Sequence, residues 1–422
     1  MNEPQLIACH ECDLLQRKVP LPVRGTARCR RCDAVLYRSL PNSYDYSLAL
    51  VLSAAVLFVL ANCFPIVELS INGATVETTL FGAAASLYSE GMWPIACLFL
   101  ATTFLMPALN IGAIAWLLVP MHLGGRPFRP ELALRLVRYV APWAMIEVLM
   151  LAILVALVKL QHLASVTPGV AIWALGAVMI LLAAAGSAFS PMDIWARTHG
   201  DTEPLVVPPA LGCTVGKTTA ARAALFACHD CSLLSRAATP ESSGICPRCS
   251  TDLHLRKPNS LVRTWAFLLA AATLFLPAVS LPVMSSNTLF RAQADTILSG
   301  VAALWASGSW MLAGIVFVAS IVVPMIKILS LGYLTFSAQL RSRLIPKERT
   351  KIFRALEFVG RWSMLDIYVI AILVALVHFG HIATIEAGPG AIAFGAVVVL
   401  TMLATMSFDS RLIWDALESD HE

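Results

Sequence analysis

Charge is scarce in this chain: only 13% of its 422 residues are Asp, Glu, Lys or Arg, against 58% hydrophobic. Soluble domains carry roughly twice that share of charge, and the mean hydropathy is +0.76. A soluble globular protein is therefore excluded, and the question becomes how many spans the chain has rather than how many domains. A second absence lies at the start. Residues 1–45 are polar and contain no long apolar run, which predicts no cleavable leader. A third concerns nucleotides. The stretch GCTVGKT at 212–218 has three residues between its glycines, whereas a phosphate-binding loop has four and follows a strand. Here proline-rich sequence (Pro204, Pro208, Pro209) precedes it. Nucleotide hydrolysis is excluded.

Cysteine is concentrated rather than scattered. The stretch CHECDLLQRKVPLPVRGTARCRRC carries Cys9, Cys12, Cys29 and Cys32, and CHDCSLLSRAATPESSGICPRC carries Cys228, Cys231, Cys246 and Cys249. Paired Cys-x-x-Cys knuckles supply four thiolates to one tetrahedral ion. Two structural Zn²⁺ sites are the first reading; a redox dithiol and an iron–sulfur site are the alternatives. His10 and His229 sit inside knuckles that already have four sulfurs and are spare. A closed four-sulfur site leaves no position for substrate, so its expected role is to fold a short segment that has little core of its own. Of the other cysteines, Cys63 and Cys97 read as small core residues and Cys213 falls in a linker.

The chain is written twice. A shift of 219 residues places Cys9 on Cys228, Trp143 on Trp362 and AILVALV at 152–158 on an identical AILVALV at 371–377. A shift of 217 places Cys29 on Cys246, Pro107 on Pro324 and Trp93 on Trp310. Each copy has four apolar runs near the roughly 20 residues a bilayer requires: 47–67, 92–119, 140–160 and 170–189, then 264–283, 310–336, 362–379 and 390–406. The expected fold is an all-α polytopic membrane protein of eight spans, a tandem duplication of ribbon plus four helices. Its boundaries are ribbon 1–45, helical module 46–195, linker 196–223, ribbon 224–262 and helical module 263–415. Lys and Arg fall overwhelmingly on one side, 27 of 30 in the segments that include both ribbons and both chain ends. The positive-inside rule then puts ribbons and termini in the cytosol. Arg24, Arg28, Arg30 and Arg31, which in isolation suggest a nucleic-acid finger, read as part of that signal facing the anionic inner leaflet. No nucleic acid is expected as a partner. On the far side, VELSINGATVETT at 67–79 predicts a hairpin about Asn72-Gly73; its counterpart at 284–296 lacks that turn and predicts one only weakly.

Ionisable residues at membrane depth are functional candidates by default. Glu147 and Asp366 are repeat-mates, as are Asn110 and Lys327. Pairing of Lys327 with Asp366, and of Asn110 with Glu147, would either tie helices together or line a lipid or proton path. Pro107 and Pro324 sit mid-span at equivalent positions, three residues before Asn110 and Lys327, and predict kinks.

The two Cys-x-x-Cys ribbons, Pro41-Asn42-Ser43 and Pro258-Asn259-Ser260 before each first span, W-x-M-x-[ED] at 143–147 and 362–366, and F-x-x-x-x-I-W at 189–195 and 408–414 together resemble the paraquat-inducible protein A family. That resemblance covers nearly the whole chain. It implies a bacterial inner-membrane protein, not an enzyme, that handles phospholipids for a periplasmic mammalian-cell-entry (MCE) domain partner and so maintains the envelope. The residues themselves leave two alternatives open: a membrane scaffold or regulator with metal-folded ribbons, and a thiol redox membrane protein. The second copy closes its last span with Phe408-Asp409-Ser410-Arg411 where the first has Phe189-Ser190-Pro191-Met192, so the two copies differ there.

Overall fold

The computed structural model describes residues 6–39, 43–71, 74–160, 165–189, 191, 194–195, 216, 218–223, 225–236, 244–288, 291–308, 310–376 and 383–417. The Asn72-Gly73 turn and most of the 196–223 linker lie outside them. Among the described residues the protein is mostly helical, and six helices there are long and apolar enough to cross a membrane. It is a multi-pass membrane protein.

One order of elements occurs twice. In the first half, strands β1 (Leu6–Ala8), β2 (Leu15–Arg17), β3 (Thr26–Arg28) and β4 (Val35–Arg38) precede α1 (Ser43–Cys63). A hairpin of β5 (Val67–Ile71) and β6 (Ala74–Thr78) leads to the short α2 (Leu80–Ser89). Then come α3 (Trp93–Leu100), α4 (Met106–His122), α5 (Pro130–Val140), α6 (Ile146–Leu160), β7 (Ser165–Pro168) and α7 (Val170–Ala188). The second half repeats this with β8 (Leu225–Ala227), β9 (Leu234–Arg236), β10 (Gly244–Ile245), β11 (Asp252–Leu253) and α8 (Ser260–Ser280). There follow β12 (Met284–Thr288), β13 (Arg291–Asp295), α9 (Ile297–Ala306), α10 (Trp310–Phe317), α11 (Val323–Gln339) and α12 (Pro346–Trp362). Last are α13 (Leu365–Leu376), β14 (Ala383–Ala387), α14 (Pro389–Ser407) and α15 (Leu412–Asp415). Within each half the first and last long helices, α1 with α7 and α8 with α14, pack along one another.

Several expectations are refined. Both hairpins form, in register Val67↔Thr78 and Met284↔Asp295, and each gains a third antiparallel strand from just before the last long helix. The third strand explains why the second hairpin forms without an Asn-Gly turn: β12 is paired on both sides. Gly169 and Gly388 cap those last helices where a Cβ would collide with the carbonyls of Pro65 and Pro282, so only glycine fits such a close backbone approach. The third run of each half is shorter than expected, α6 beginning at 146 and α13 at 365. Trp143, Ala144 and Met145 form a corner after the amphipathic α5, because Pro142 cannot continue a helix. Cys63 and Cys97 are exposed rather than core, as small apolar residues on a lipid-facing surface can be.

At Pro107 and Pro324 the structure shows π-helical turns, Ala101–Leu105 and Val318–Val322, immediately before each proline. The ring displaces the carbonyl four residues back, and the helix accommodates it by widening one turn. Nearby hydroxyls bond to carbonyls of the preceding turn: Thr103 Oγ1 donates to Phe99 O at 2.7 Å and Ser320 Oγ to Val316 O at 2.7 Å. Within an apolar span such local partners keep the altered backbone satisfied.

Candidate metal centres and intramembrane polar site

Four knuckles share one backbone design. In each, the residue after the second cysteine has positive φ, from 53° at Ser250 to 62° at Asp33, and its N–H donates back to the first cysteine's carbonyl. Those bonds are Asp13 to Cys9 at 2.9 Å, Asp33 to Cys29 at 2.9 Å, Ser232 to Cys228 at 3.0 Å and Ser250 to Cys246 at 2.9 Å. The tight loop turns both thiols of a knuckle to one side, and two knuckles face each other. All eight cysteines are buried, and the sulfurs of each set lie within 4.8 Å of one another. A tetrahedral ion with bonds of about 2.3 Å would hold its sulfurs about 3.8 Å apart, so each set could hold a metal ion. The thiols already share protons unevenly. The hydrogen bond between Cys12 and Cys29 pushes Cys12 up and holds Cys29 well below the usual thiol range. Cys228 acts the same way on Cys231 and Cys246, raising the first and lowering the second. Outer bonds orient the sulfurs: Gln16 Nε2 donates to Cys29 Sγ at 3.2 Å, and the Thr251 hydroxyl lies 3.2 Å from Cys249 Sγ.

A module of ribbon plus four helices would suggest that each ribbon braces its own half; instead the arginine contacts to the knuckles are exchanged between the halves. In the first ribbon, Glu11 accepts from Arg354 of α12 at 2.7 Å, and the same guanidinium donates to Cys32 O at 2.7 Å. In the second, Asp230 accepts from Arg135 of α5 at 3.2 Å, and that guanidinium reaches Cys249 O at 3.5 Å and Thr251 Oγ1 at 2.7 Å. Each arginine therefore grips the acidic residue inside one knuckle and the carbonyl of a ligand in the other. The first ribbon also pairs with the end of the linker that leads into the second, through Leu15 N to Thr218 O at 3.0 Å and Ala220 N to Asp13 O at 2.9 Å. Leu15, Ala220, Ala223, Leu225 and Leu234 form a small apolar core between the two ribbons. Asp13, 4% exposed in its side chain, accepts from Arg256 at 3.2 Å, which also holds Asp415. Burial raises the Asp13 pKa and the two guanidinium charges of Arg256 and Arg411 oppose it. Arg31 lies 4.5 Å over the Trp414 ring, and Arg28 pairs with Asp33 at 3.0 Å.

At membrane depth the halves differ. Lys327 of α11 is 2% exposed, and its ammonium donates to Thr401 Oγ1 of α14 at 2.9 Å. Thr401 in turn donates to Val398 O at 2.9 Å. Among the described residues no carboxylate lies within ion-pair distance of Lys327; Asp366 is in the first turn of α13, and its side chain lies outside them. Asn110 does not bond Glu147: its Oδ1 is buried without a partner, while Glu147 is exposed in the first turn of α6. There a carboxylate complements the positive end of the helix dipole.

The family model for paraquat-inducible protein A matches residues 44–199 and again residues 261–418. The chain belongs to the paraquat-inducible protein A family. Family membership extends to full-length relatives. Intermembrane transport protein PqiA of Escherichia coli K12 is 34% identical, over 99% of this chain and 97% of that protein. Lipophilic envelope-spanning tunnel protein A of the same organism is 31% identical over 97% and 91% of the two chains. A probable intermembrane transport protein of Haemophilus influenzae is 28% identical over 97% and 96%. No solved structure matches.

Three contacts of this family member escape a reading of local patterns. Thr401 lies in an apolar run with Leu182 as its repeat-mate, so nothing local marks it. The docking pairs are better signposted: Glu11 and Asp230, and Arg135 and Arg354, each obey the 219-residue shift. A charge that recurs inside both knuckles, with an arginine that recurs on both amphipathic helices, is the signal that would have found them.

Proposed function

We propose that the protein is an inner-membrane component that handles phospholipids for a periplasmic MCE-domain partner. In this reading the chain has eight spans, with α6 and α13 as the shorter third span of each half, and both ribbons and both termini are cytosolic. Each ribbon carries one structural Zn²⁺, and the segment boundaries are those given by the repeat. The observation that carries the reading is full-length similarity to relatives named for intermembrane transport and for an envelope-spanning lipophilic tunnel. The buried ammonium of Lys327 on Thr401 supports a polar point on the lipid or proton path, since a cation at this depth is costly without a task. The ribbons supply no chemistry on substrate; bound metal would fix the knuckles that the arginines grip.

The test replaces Lys327 with Met, which preserves bulk and removes the charge. Cells relying on the variant should show the same envelope-lipid defect as cells lacking the protein, with normal amounts of folded chain. Wild-type lipid behaviour would sink the path. The scaffold reading, in which the ribbons recruit cytosolic proteins, predicts a different result: capture of the periplasmic partner unaffected by deleting residues 70–80, and no effect of Lys327→Met. A thiol redox role requires a reversible disulfide within a set of four sulfurs, which mass analysis with and without reductant detects directly.

A further inference from the structure

The duplicated order leaves one interface filled and its counterpart open. In the first half α2 buries Leu80, Ala83, Ala84 and Leu87, and α2 and α3 pack on α13 of the other half. Phe99 of α3 meets Tyr368 of α13 edge-on at 5.9 Å. The equivalent contact would set α9 and α10 against α6. Among the described residues no comparable packing joins them, and α9 has no buried residue. A cavity of 870 Å³ stands in that place, with Leu154 and Val158 of α6 on one wall and Trp305, Trp310, Met311 and Ile315 on the other.

Three observations identify what fills it. The matching place in the other interface is filled by aliphatic side chains, so an occupant of like chemistry completes the packing. Leu154 and Val158 are nearly half exposed on a stretch of α6, Val148–Val158, that is wholly apolar, so the cavity is continuous with the surface that faces lipid. Trp305 and Trp310 are 65% and 70% exposed, and indoles favour the level of the headgroups. Among the described residues no charged side chain lines the cavity. We propose that this cleft is a phospholipid site that takes an acyl chain and leaves the headgroup outside, so that it does not select among headgroups. The site rests on the lipid-handling reading for its purpose, and on the broken repeat for its position.

The test uses the full chain with a photoreactive p-benzoylphenylalanine in place of Met311, or in place of Trp173, an exposed residue of α7 outside the cleft. Purified protein is given phosphatidylcholine or phosphatidylglycerol, exchanged into lipid-free detergent and irradiated. A retained chain should give about tenfold more lipid adduct at Met311 than at Trp173, equally for both lipids, and Leu154→Trp should cut it about fivefold by filling the space. Equal yields at the two positions, meaning surface lipid only, would overturn the site; so would a strong preference between headgroups. If Leu154→Trp lowers the yield merely by misfolding, Ile315→Ala, which enlarges the cavity, separates the cases: it should leave the adduct at wild-type level or above, and a matching loss would overturn the site. Cells lacking the protein are examined in parallel. A strong Met311 adduct without an envelope-lipid defect would fail the functional reading and leave the site standing, whereas the defect without the adduct would fail the site alone.

Discussion

Leu87 and Leu304 occupy the same place in the two halves, yet Leu87 is fully buried and Leu304 only partly so. The same divergence recurs at depth, where Asn110 and Leu182 of one half face Lys327 and Thr401 of the other. A duplicated module starts with two identical interfaces; when one is packed shut, the other is free to stay open, and a charge can settle in one half only. The first half thus reads as the buttress and the second as the half with an open face and a buried cation. The exchanged ribbons work against this divergence, since each ties its own half's chain to the helices of the other.

The largest expected effect comes from the metal sites. Structural zinc contributes about 10–16 kcal/mol of apparent folding free energy in small domains, so Cys12→Ser, or strong chelation, should unfold the first ribbon. Because that ribbon rests on α12, new protease cleavage should appear around 341–350 in the second half before any appears around 126–130 in the first. Cys231→Ser should reverse the order. Cleavage confined to each ribbon's own half would refute the exchange.

Breaking a docking pair should have the next largest effect. Arg354→Glu places a carboxylate against Glu11, whose side chain is 12% exposed, and should cost about 2–4 kcal/mol by analogy with other partly buried pairs broken at one end. Adding Glu11→Arg should restore most of the loss, as read from thermal unfolding of the purified chain. Arg135→Glu should cost less, because its bond to Asp230 is longer, 3.2 Å against 2.6 Å for the closest Arg354 contact.

How much of this was legible in the chain depended on range. Knuckles and apolar runs are local patterns, and both Cys₄ sets and six of the long helices lie where the pattern puts them. The exchange was not legible because its pairs lie far apart in sequence: Glu11 meets Arg354 across 343 residues and nothing between them specifies the path. The prolines showed that the span departs from ideal helix but not how, since a kink and a π turn both relieve the same clash. The pairing of Glu147 with Asn110 was not readable for a physical reason: an apolar neighbourhood in sequence does not say whether a carboxylate begins a helix or lies midway along it.

The contrast between interfaces gives a smaller, cleaner test. Leu87→Ala should cost about 2–4 kcal/mol, the usual range for a fully enclosed leucine. Leu304→Ala at the open face should cost under about 1 kcal/mol. Equal losses would mean that the open face closes in the working protein.

The smallest effect concerns acid. His229 is held neutral, first by burial and then by the charges of Arg411 and Arg138, which lower its pKa from 6.5 to about 4. Its Nε2 is buried without a partner. Between about pH 4 and 6.5 the unfolded ribbon binds a proton that the folded one refuses, so stability should rise with pH across that window and level off above it. Thiolate protonation adds an acid slope of its own, common to wild type and variant. The difference curve between wild type and His229→Gln therefore isolates the histidine: the variant should lose part of the slope below pH 6.5 and match wild type above it. His10, the equivalent residue in the first ribbon, is 62% exposed in its side chain and lies 3.7 Å from Glu11. Burial lowers the His10 pKa as well, but the Glu11 carboxylate opposes that shift; His10→Gln should therefore change the curve less, and a larger change there than at His229 would reverse the assignment of which ribbon is the more enclosed.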